Sequence, residues 1–313
     1  MLVDFLTFFV ALVTLLAAAK YFTEAAEVIG TWMRLPPFVI GIFIVGIGTS
    51  LPELISGVLS VQHGLSEIVP GNIIGANISN LLLITGLAVV LNKKNIILLS
   101  DYLYIDLHFL LGSFVYFAMI AYDGNIVFSE AIIGIFIFII YSIYLIKGES
   151  KTSNELLVDK SLREKFPIKY LGIIVVTAIG IFYGANYTVQ SLEHLANALA
   201  IPPAIIALTV LSIGTTLPEL AVNITAIRRG KAELAMGNVL GSCVFNTLVI
   251  PSGAGLFGTI TVPHSLLIFS LPMMGASGLL FYLLTQDKKI SVWEGLLFLC
   301  LYVLFIFKVA SGV

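Results

Sequence analysis

Long apolar runs, separated by short polar stretches, recur along the whole chain. Ten can be marked, at about residues 2–21, 37–62, 68–91, 102–121, 127–146, 169–191, 202–227, 233–260, 264–284 and 291–310. A run of about 20 apolar residues crosses the hydrocarbon core of a bilayer as a helix. In lipid only a helix or a closed barrel satisfies its own backbone. The pattern therefore predicts an all-α membrane protein with ten transmembrane helices. The first run has the length of a signal peptide, but no basic segment precedes it and it has a counterpart later in the chain. It is counted as a helix. One long polar stretch, residues 147–168, mixes both charge signs and reads as a linker between a first half, 1–146, and a second, 169–313.

Charge adds an orientation. Lys20, Arg34, Lys93, Lys94, Lys147, Lys151, Lys160, Arg163, Lys165, Lys169, Arg228, Arg229, Lys231, Lys288 and Lys289 all fall at odd-numbered connections, and Lys308 does not. Positive charge marks the cytoplasmic face, so both termini are expected outside and the linker inside. Composition agrees with the membrane class: 59% of residues are hydrophobic and 11% charged, far from a soluble domain. The net charge of −2 gives no sign of nucleic-acid binding. Cys243 and Cys300 lie within predicted helices and read as small apolar residues.

The chain repeats itself. A shift of 166 residues places Tyr21 on Tyr187, Glu27 on Glu193, Leu35-Pro36-Pro37 on Ile201-Pro202-Pro203, and Glu53 on Glu219. Without gaps, 46–80 matches 212–246 at 13 of 35 positions. Each half holds five predicted helices, an odd number, so the second half must enter the membrane from the opposite face. Inverted repeats of this kind place their substrate at the repeat interface near the midplane. The paired prolines before helices 2 and 7 are expected to hinge helices 1 and 6 against the remainder.

The strongest repeated segments carry the candidate chemistry. Residues 48–53 read Gly-Thr-Ser-Leu-Pro-Glu, and 214–219 read Gly-Thr-Thr-Leu-Pro-Glu. Gly71-Asn72-Ile73-Ile74-Gly75 leads to Asn80, and Gly237-Asn238-Val239-Leu240-Gly241 leads to Asn246. Pro52 and Pro218 have no N–H, so the carbonyls of Gly48 and Gly214 lose their intrahelical partners. Unwound carbonyls are tolerated in a membrane only where they line a cavity. Thr49 and Glu53, four apart, share a helix face, as do Thr215 and Glu219. A carboxylate in hydrocarbon costs several kcal/mol unless paired or bound to a cation, which makes it a functional candidate. Glu53 and Glu219 supply two negative charges; Asn80, Asn246, Ser50, Thr216 and Ser242 supply neutral oxygens. A hard divalent ion wants six to eight oxygens, and no His or Cys flanks the glutamates, so the set points to calcium rather than zinc or copper.

Other polar residues have structural readings. Gly71, Gly75, Gly237 and Gly241 let helices approach closely. Asn72 and Asn238 sit on another face and read as structural. Asp101, Asp106 and His108 read as interface anchors near the cytoplasmic end of helix 4. Glu67, Glu233 and Glu294 begin helices, where an acid meets the positive end of the dipole.

The paired segments resemble the repeats of the cation/calcium antiporter superfamily, in particular prokaryotic sodium/calcium exchangers. The likeness covers nearly the whole chain. It implies that Glu53 and Glu219, with the backbone carbonyls of Thr49 and Thr215, hold Ca²⁺. Sodium sites would flank it at Ser50, Thr216 and Ser242, with Asn80 and Asn246 completing the centre. Two positions depart from that family: Ala76 stands where a serine is usual, and Asn246 where an aspartate is frequent. Two glutamates with two asparagines are also the quartet of proton/calcium exchangers, although those carry a different sequence around the glutamate. When calcium leaves, the buried glutamates must be neutralised, and either Na⁺ or protons can do this. The expected function is therefore Na⁺/Ca²⁺ antiport in a prokaryotic cell membrane by a monomer, with H⁺/Ca²⁺ exchange as the alternative. An intramembrane enzyme lacks a nucleophile–base pair here, and a channel does not account for the inverted duplication. No cofactor is implied.

Overall fold

In a computed structural model, the described residues are 2–32, 42, 45–92, 95–97, 103–149, 167–228, 230 and 232–311. Helix α1 (Leu2–Trp32) opens the chain, followed by α2 (Ile47–Thr49) and α3 (Leu51–Gln62). Next comes α4 (Ile68–Ile78), which runs through a π-helical turn (Ser79–Ile84) into α5 (Thr85–Asn92). Strand β1 (Ile96–Ile97), α6 (Leu103–Ala121), β2 (Asn125–Ile126) and α7 (Phe128–Glu149) follow. Then come α8 (Ile168–Leu199), α9 (Pro203–Ile206), a π-helical turn (Ala207–Leu211), α10 (Ser212–Thr215) and α11 (Leu217–Arg228). Helix α12 (Ala232–Gly255), β3 (Ile260–Thr261), a π-helical turn (Leu266–Ser270), α13 (Leu271–Thr285), β4 (Lys289–Ile290) and α14 (Val292–Ala310) complete it.

Among the described residues, eight helices are long and apolar enough to cross a membrane, and Asp106–Ala121 is a shorter apolar helix. The proline pair at 36–37 lies outside the described residues, as do Asp101 and most of the linker. The second pair is seen: Pro202 caps α9 and Pro203 is its first residue, where a missing N–H costs no helical hydrogen bond.

The spans sort into inner and outer sets. Ile68–Asn92 is 83% buried and Leu234–Gly255 is 94% buried, whereas Ile168–Leu199 is only 17% buried. The two spans that carry the Gly-Asn-x-x-Gly segments therefore form the centre. Outer helices present Val10, Val176, Ile268 and Val303 to the surroundings, the surface a lipid-facing helix needs.

Contacts across the chain come in reciprocal pairs. β1 pairs antiparallel with β4 (Ile96 opposite Ile290), and β2 with β3 (Asn125 opposite Thr261). α5 packs on α14, and α12 packs on α7. α1 and α8 lie against each other along their length and share a separate apolar cluster that includes Phe8, Leu12, Leu15, Ala185, Val189 and Leu192. A Cβ added to Gly184 would lie 2.8 Å from the backbone nitrogen of Leu15, so glycine sets this close approach. At one end Asp4 Oδ1 meets His194 Nδ1 at 3.2 Å.

The acid on α6 departs from the sequence reading. Asp106 is fully buried instead of anchoring at an interface. It faces Tyr141, because α6 and α7 meet through an aromatic seam in which the Phe109 and Tyr141 rings lie 4.8 Å apart. His108 is exposed and sets its ring edge-on against Tyr282. Glu294 fulfils its helix-start role: it closes a capping box with Ser291 on α14.

Candidate functional site

Both helices that bear a glutamate break at the same point. Ser50 has φ −89° and ψ 5°, and Thr216 has φ −85° and ψ 1°, so each stands between two helical segments. Proline follows two residues later, in the first turn of α3 and of α11, and places Glu53 and Glu219 in those first turns. A negative side chain there meets the unpaired N–H groups at the helix start. The backbone repeats the arrangement: Ser50 N donates to Gly46 O at 3.1 Å, and Thr216 N donates to Ser212 O at 3.1 Å.

The nine sequence-predicted side chains are all buried. Thr49, Ser50, Glu53, Asn80, Thr215, Glu219, Ser242 and Asn246 have no exposed surface, and Thr216 is 2% exposed. The two halves cross over at the glutamates. Glu53 faces Thr215, while Glu219 faces Thr49 and Ser50 and lies within electrostatic reach of Glu53. No carboxylate oxygen of either glutamate closes a well-formed hydrogen bond among the described residues. The same holds for Ser50 Oγ, both amide atoms of Asn80 and the amide oxygen of Asn246. Buried polar groups are ordinarily hydrogen-bonded. A convergent set of oxygens without protein partners has the character of a cation cage.

The flanking hydroxyls are not equivalent. Ser242 donates to Gly46 O at 3.3 Å, so a hydroxyl and a carbonyl meet beside the break in α2–α3. At the matching place in the other half, Ala76 supplies no hydroxyl, and Ser212 stands where the first half has Gly46. Ser212 Oγ donates to Leu208 O at 2.6 Å, and Thr216 Oγ1 donates to Ser212 O at 2.9 Å.

Glycines bring the broken helices onto the central spans. A Cβ on Gly71 would strike the carbonyl of Ala204, and one on Gly75 would strike that of Leu208. A Cβ on Gly241 would lie 2.8 Å from the Cα of Ile42, the repeat counterpart of Leu208. These three glycines are packing residues, as their spacing predicts. Asn238 accepts a hydrogen bond from Thr49 Oγ1 at 3.3 Å and so supports the site from behind.

Two neighbours escaped the sequence reading. Asn77 accepts from Asn246 Nδ2 at 3.4 Å and reaches Met274 Sδ through its own amide at 3.6 Å. Its repeat counterpart, Cys243, is fully buried against Asn80 and Glu219. The available signal was spacing: each lies three residues before its asparagine, one turn along the same helix face. Asn80 itself lies in the π-helical turn Ser79–Ile84, a distortion frequent at functional sites.

Two carboxylates among neutral oxygens, in a bundle of apolar helices, have the chemistry that a hard cation seeks in a membrane protein. The family model for the sodium/calcium exchanger protein matches residues 3–147 and 169–310, and the chain belongs to that family. Sodium/calcium exchanger MaX1 of Methanosarcina acetivorans is 30% identical over 97% of this chain and 97% of that protein. Inner membrane protein YrbG of Escherichia coli is 30% identical over 77% of this chain and 76% of that protein. Among solved structures, the sodium-calcium exchanger NCX_Mj soaked with 2.5 mM Na⁺ and 10 mM Sr²⁺ aligns with a TM-score of 0.72 at 27% identity. That match covers 98% of this chain and 99% of the other.

Proposed function

We propose that this protein is a secondary active antiporter that exchanges Ca²⁺ for Na⁺ across a prokaryotic cell membrane. The observation that carries the reading is the crossed pair of buried glutamates, each facing the threonine of the other half. Glu53 and Glu219 balance the charge of one Ca²⁺. Asn80, Asn246 and the oxygens of Thr49 and Thr215 complete its shell, while Ser50, Thr216 and Ser242 serve flanking Na⁺. Once Ca²⁺ departs, two like charges remain in low dielectric, and the site cannot cross the membrane until cations replace it. This obligation turns binding into exchange.

The architecture that serves this mechanism is ten membrane helices in two inverted repeats, 1–146 and 169–313, with the linker inside and both termini outside. The reciprocal strand pairs and helix contacts support it. The paired outer helices α1 and α8 are the elements that move during alternating access, since they lie against each other along their length and share an apolar cluster whose other buried members among the described residues are Leu59, Ile68, Ile206, Ala207 and Leu211. A monomer contains both halves of the site.

The test is labelled-calcium uptake into proteoliposomes. An outward-directed Na⁺ gradient at uniform pH drives accumulation; a pH gradient without Na⁺ does not. Uptake driven by the pH gradient alone would replace this reading with H⁺/Ca²⁺ exchange. For topology, Ser153→Cys and Asp123→Cys react with impermeant reagent from opposite faces, and labelling from one common face refutes the ten-helix arrangement.

A further inference from the structure

Asn223 lies on α11 one helical turn beyond Glu219 and is 1% exposed. Neither its amide oxygen nor its amide nitrogen has a hydrogen-bond partner among the described residues. The side chain packs with Ile84, Thr85, Ile227, Met236 and Val239 around a pocket too tightly closed to admit a water molecule. An amide buried without a partner forfeits its hydration, so the position needs a reason.

The repeat does not keep this amide. The counterpart of Asn223 is Gly57, one turn beyond Glu53. There Ile250 and Val69 close in so tightly that a Cβ on Gly57 would lie 3.3 Å from Ile250 Cγ2. Ile250 is itself the counterpart of Ile84, which packs beside Asn223. At Gly57 the neighbours are aliphatic, with the buried hydroxyls of Ser56 and Ser60 on the same helix; at Asn223 they include an amide and the hydroxyl of Thr85.

Both polar groups adjoin the candidate site. Asn223 shares a helix with Glu219, and Thr85 Oγ1 donates to the carbonyl of Asn80 at 3.1 Å. Asn223 also lies toward the end of α11 that finishes at Arg228, the basic side that the charge pattern of the sequence assigns to the cytoplasm.

We propose that Asn223 and Thr85 form a relay site for a hard cation between the paired glutamates and the basic face of the protein. The amide oxygen of Asn223 and the hydroxyl oxygen of Thr85 receive an incoming Na⁺ or Ca²⁺ as it sheds water, and return it to water on the way out. When this side of the molecule closes, the amide is desolvated, so opening toward the basic face regains its hydration. The proposal rests on the reading of Glu53 and Glu219 as ion ligands.

Asn223→Leu removes the amide at similar volume. Exchange measured with Ca²⁺ supplied at the basic face falls about tenfold, the rate equivalent of one lost charge-assisted contact. Ca²⁺ affinity of the purified variant changes less than about twofold, and its unfolding temperature rises because an unsatisfied group has left the interior. An unchanged exchange rate overturns the proposal. Loss of Ca²⁺ binding overturns it too, because it would place Asn223 in the central site. A second variant does not depend on that packing. Asn223→Cys in a Cys300→Ser chain, in vesicles of each orientation with Na⁺ and Ca²⁺ present, is modified by an impermeant thiosulfonate from the basic face alone and loses exchange. Absence of modification from either face, or modification from the opposite face, contradicts the relay. Wild-type vesicles that carry no calcium would instead refute the underlying antiport reading.

Discussion

The hydroxyl of Ser242 meets the carbonyl of Gly46, and at the two corresponding positions of the repeat the chain has Ala76 and Ser212. The two arrangements occupy matching positions around one pair of glutamates, yet they distribute hydroxyls differently. Asn77 likewise corresponds to Cys243 in the repeat, and Gly57 to Asn223. What is shared and what is not divides by task. Glutamates, asparagines and close-packing glycines are duplicated, as the proposed sharing of one divalent ion between the two halves requires. The hydroxyl at Ser50 and Thr216 is duplicated as well, whereas that of Ser242 and the amide of Asn223 beyond the glutamate are not, an asymmetry that the proposed monovalent-ion flanks would use.

The duplicated contacts give the largest effects. Gly75→Ala drives a methyl group into the carbonyl of Leu208 and toward Ser212, at a cost of about 1–3 kcal/mol for overpacking. Gly241→Ala meets the backbone of Ile42 and should cost a similar amount. Both variants show lower unfolding temperatures, and a loss confined to one of them breaks the equivalence of the halves.

The asparagines come next. Asn80→Ala and Asn246→Ala each remove a neutral oxygen and leave both charges in place. Ca²⁺ affinity, measured by titration calorimetry, falls about tenfold in each, or ~1.4 kcal/mol. Asn246→Ala also releases Asn77 from its 3.4 Å contact, so its effect is the larger. An Asn80→Ala protein with unaltered affinity removes that residue from the shell.

The smallest effects address the asymmetry itself. Ala76→Ser restores a hydroxyl beside Ser212 and raises apparent Na⁺ affinity about threefold, with Ca²⁺ affinity unchanged, since one neutral ligand contributes roughly 0.5–1.5 kcal/mol. Ser242→Ala does the reverse on the other flank. Sodium titrations of calcium uptake check both. If neither substitution moves the sodium dependence, the flanking positions do not hold Na⁺.

Much of this was legible in the sequence because membrane helices and broken helices leave strong local marks. Apolar runs placed the centres of the eight spans seen among the described residues, and Gly-Thr-x-Leu-Pro-Glu placed both breaks. Helix ends were less visible. α1 continues to Trp32 and α8 to Leu199, past their apolar runs, because Lys20, Glu24 and their neighbours extend a helix without registering as hydrophobic. The π-helical turn at Ser79–Ile84 changes the register by which side chains share a face, which a fixed helical period cannot reveal. The buried position of Asp106 depends on Tyr141, a partner 35 residues away in sequence. Asn77 was hidden by proximity to Asn80, and the thiol of Cys243 by its resemblance to an ordinary core residue.

The central claim is that one calcium is held jointly by a glutamate from each half. Calcium titration of purified wild type, Glu53→Gln and Glu219→Gln tests it most directly, because each change is nearly isosteric and removes one charge. The account predicts one Ca²⁺ bound per wild-type chain and no measurable binding in either single variant, with all three folded alike. Wild-type stoichiometry and affinity in either variant would contradict it.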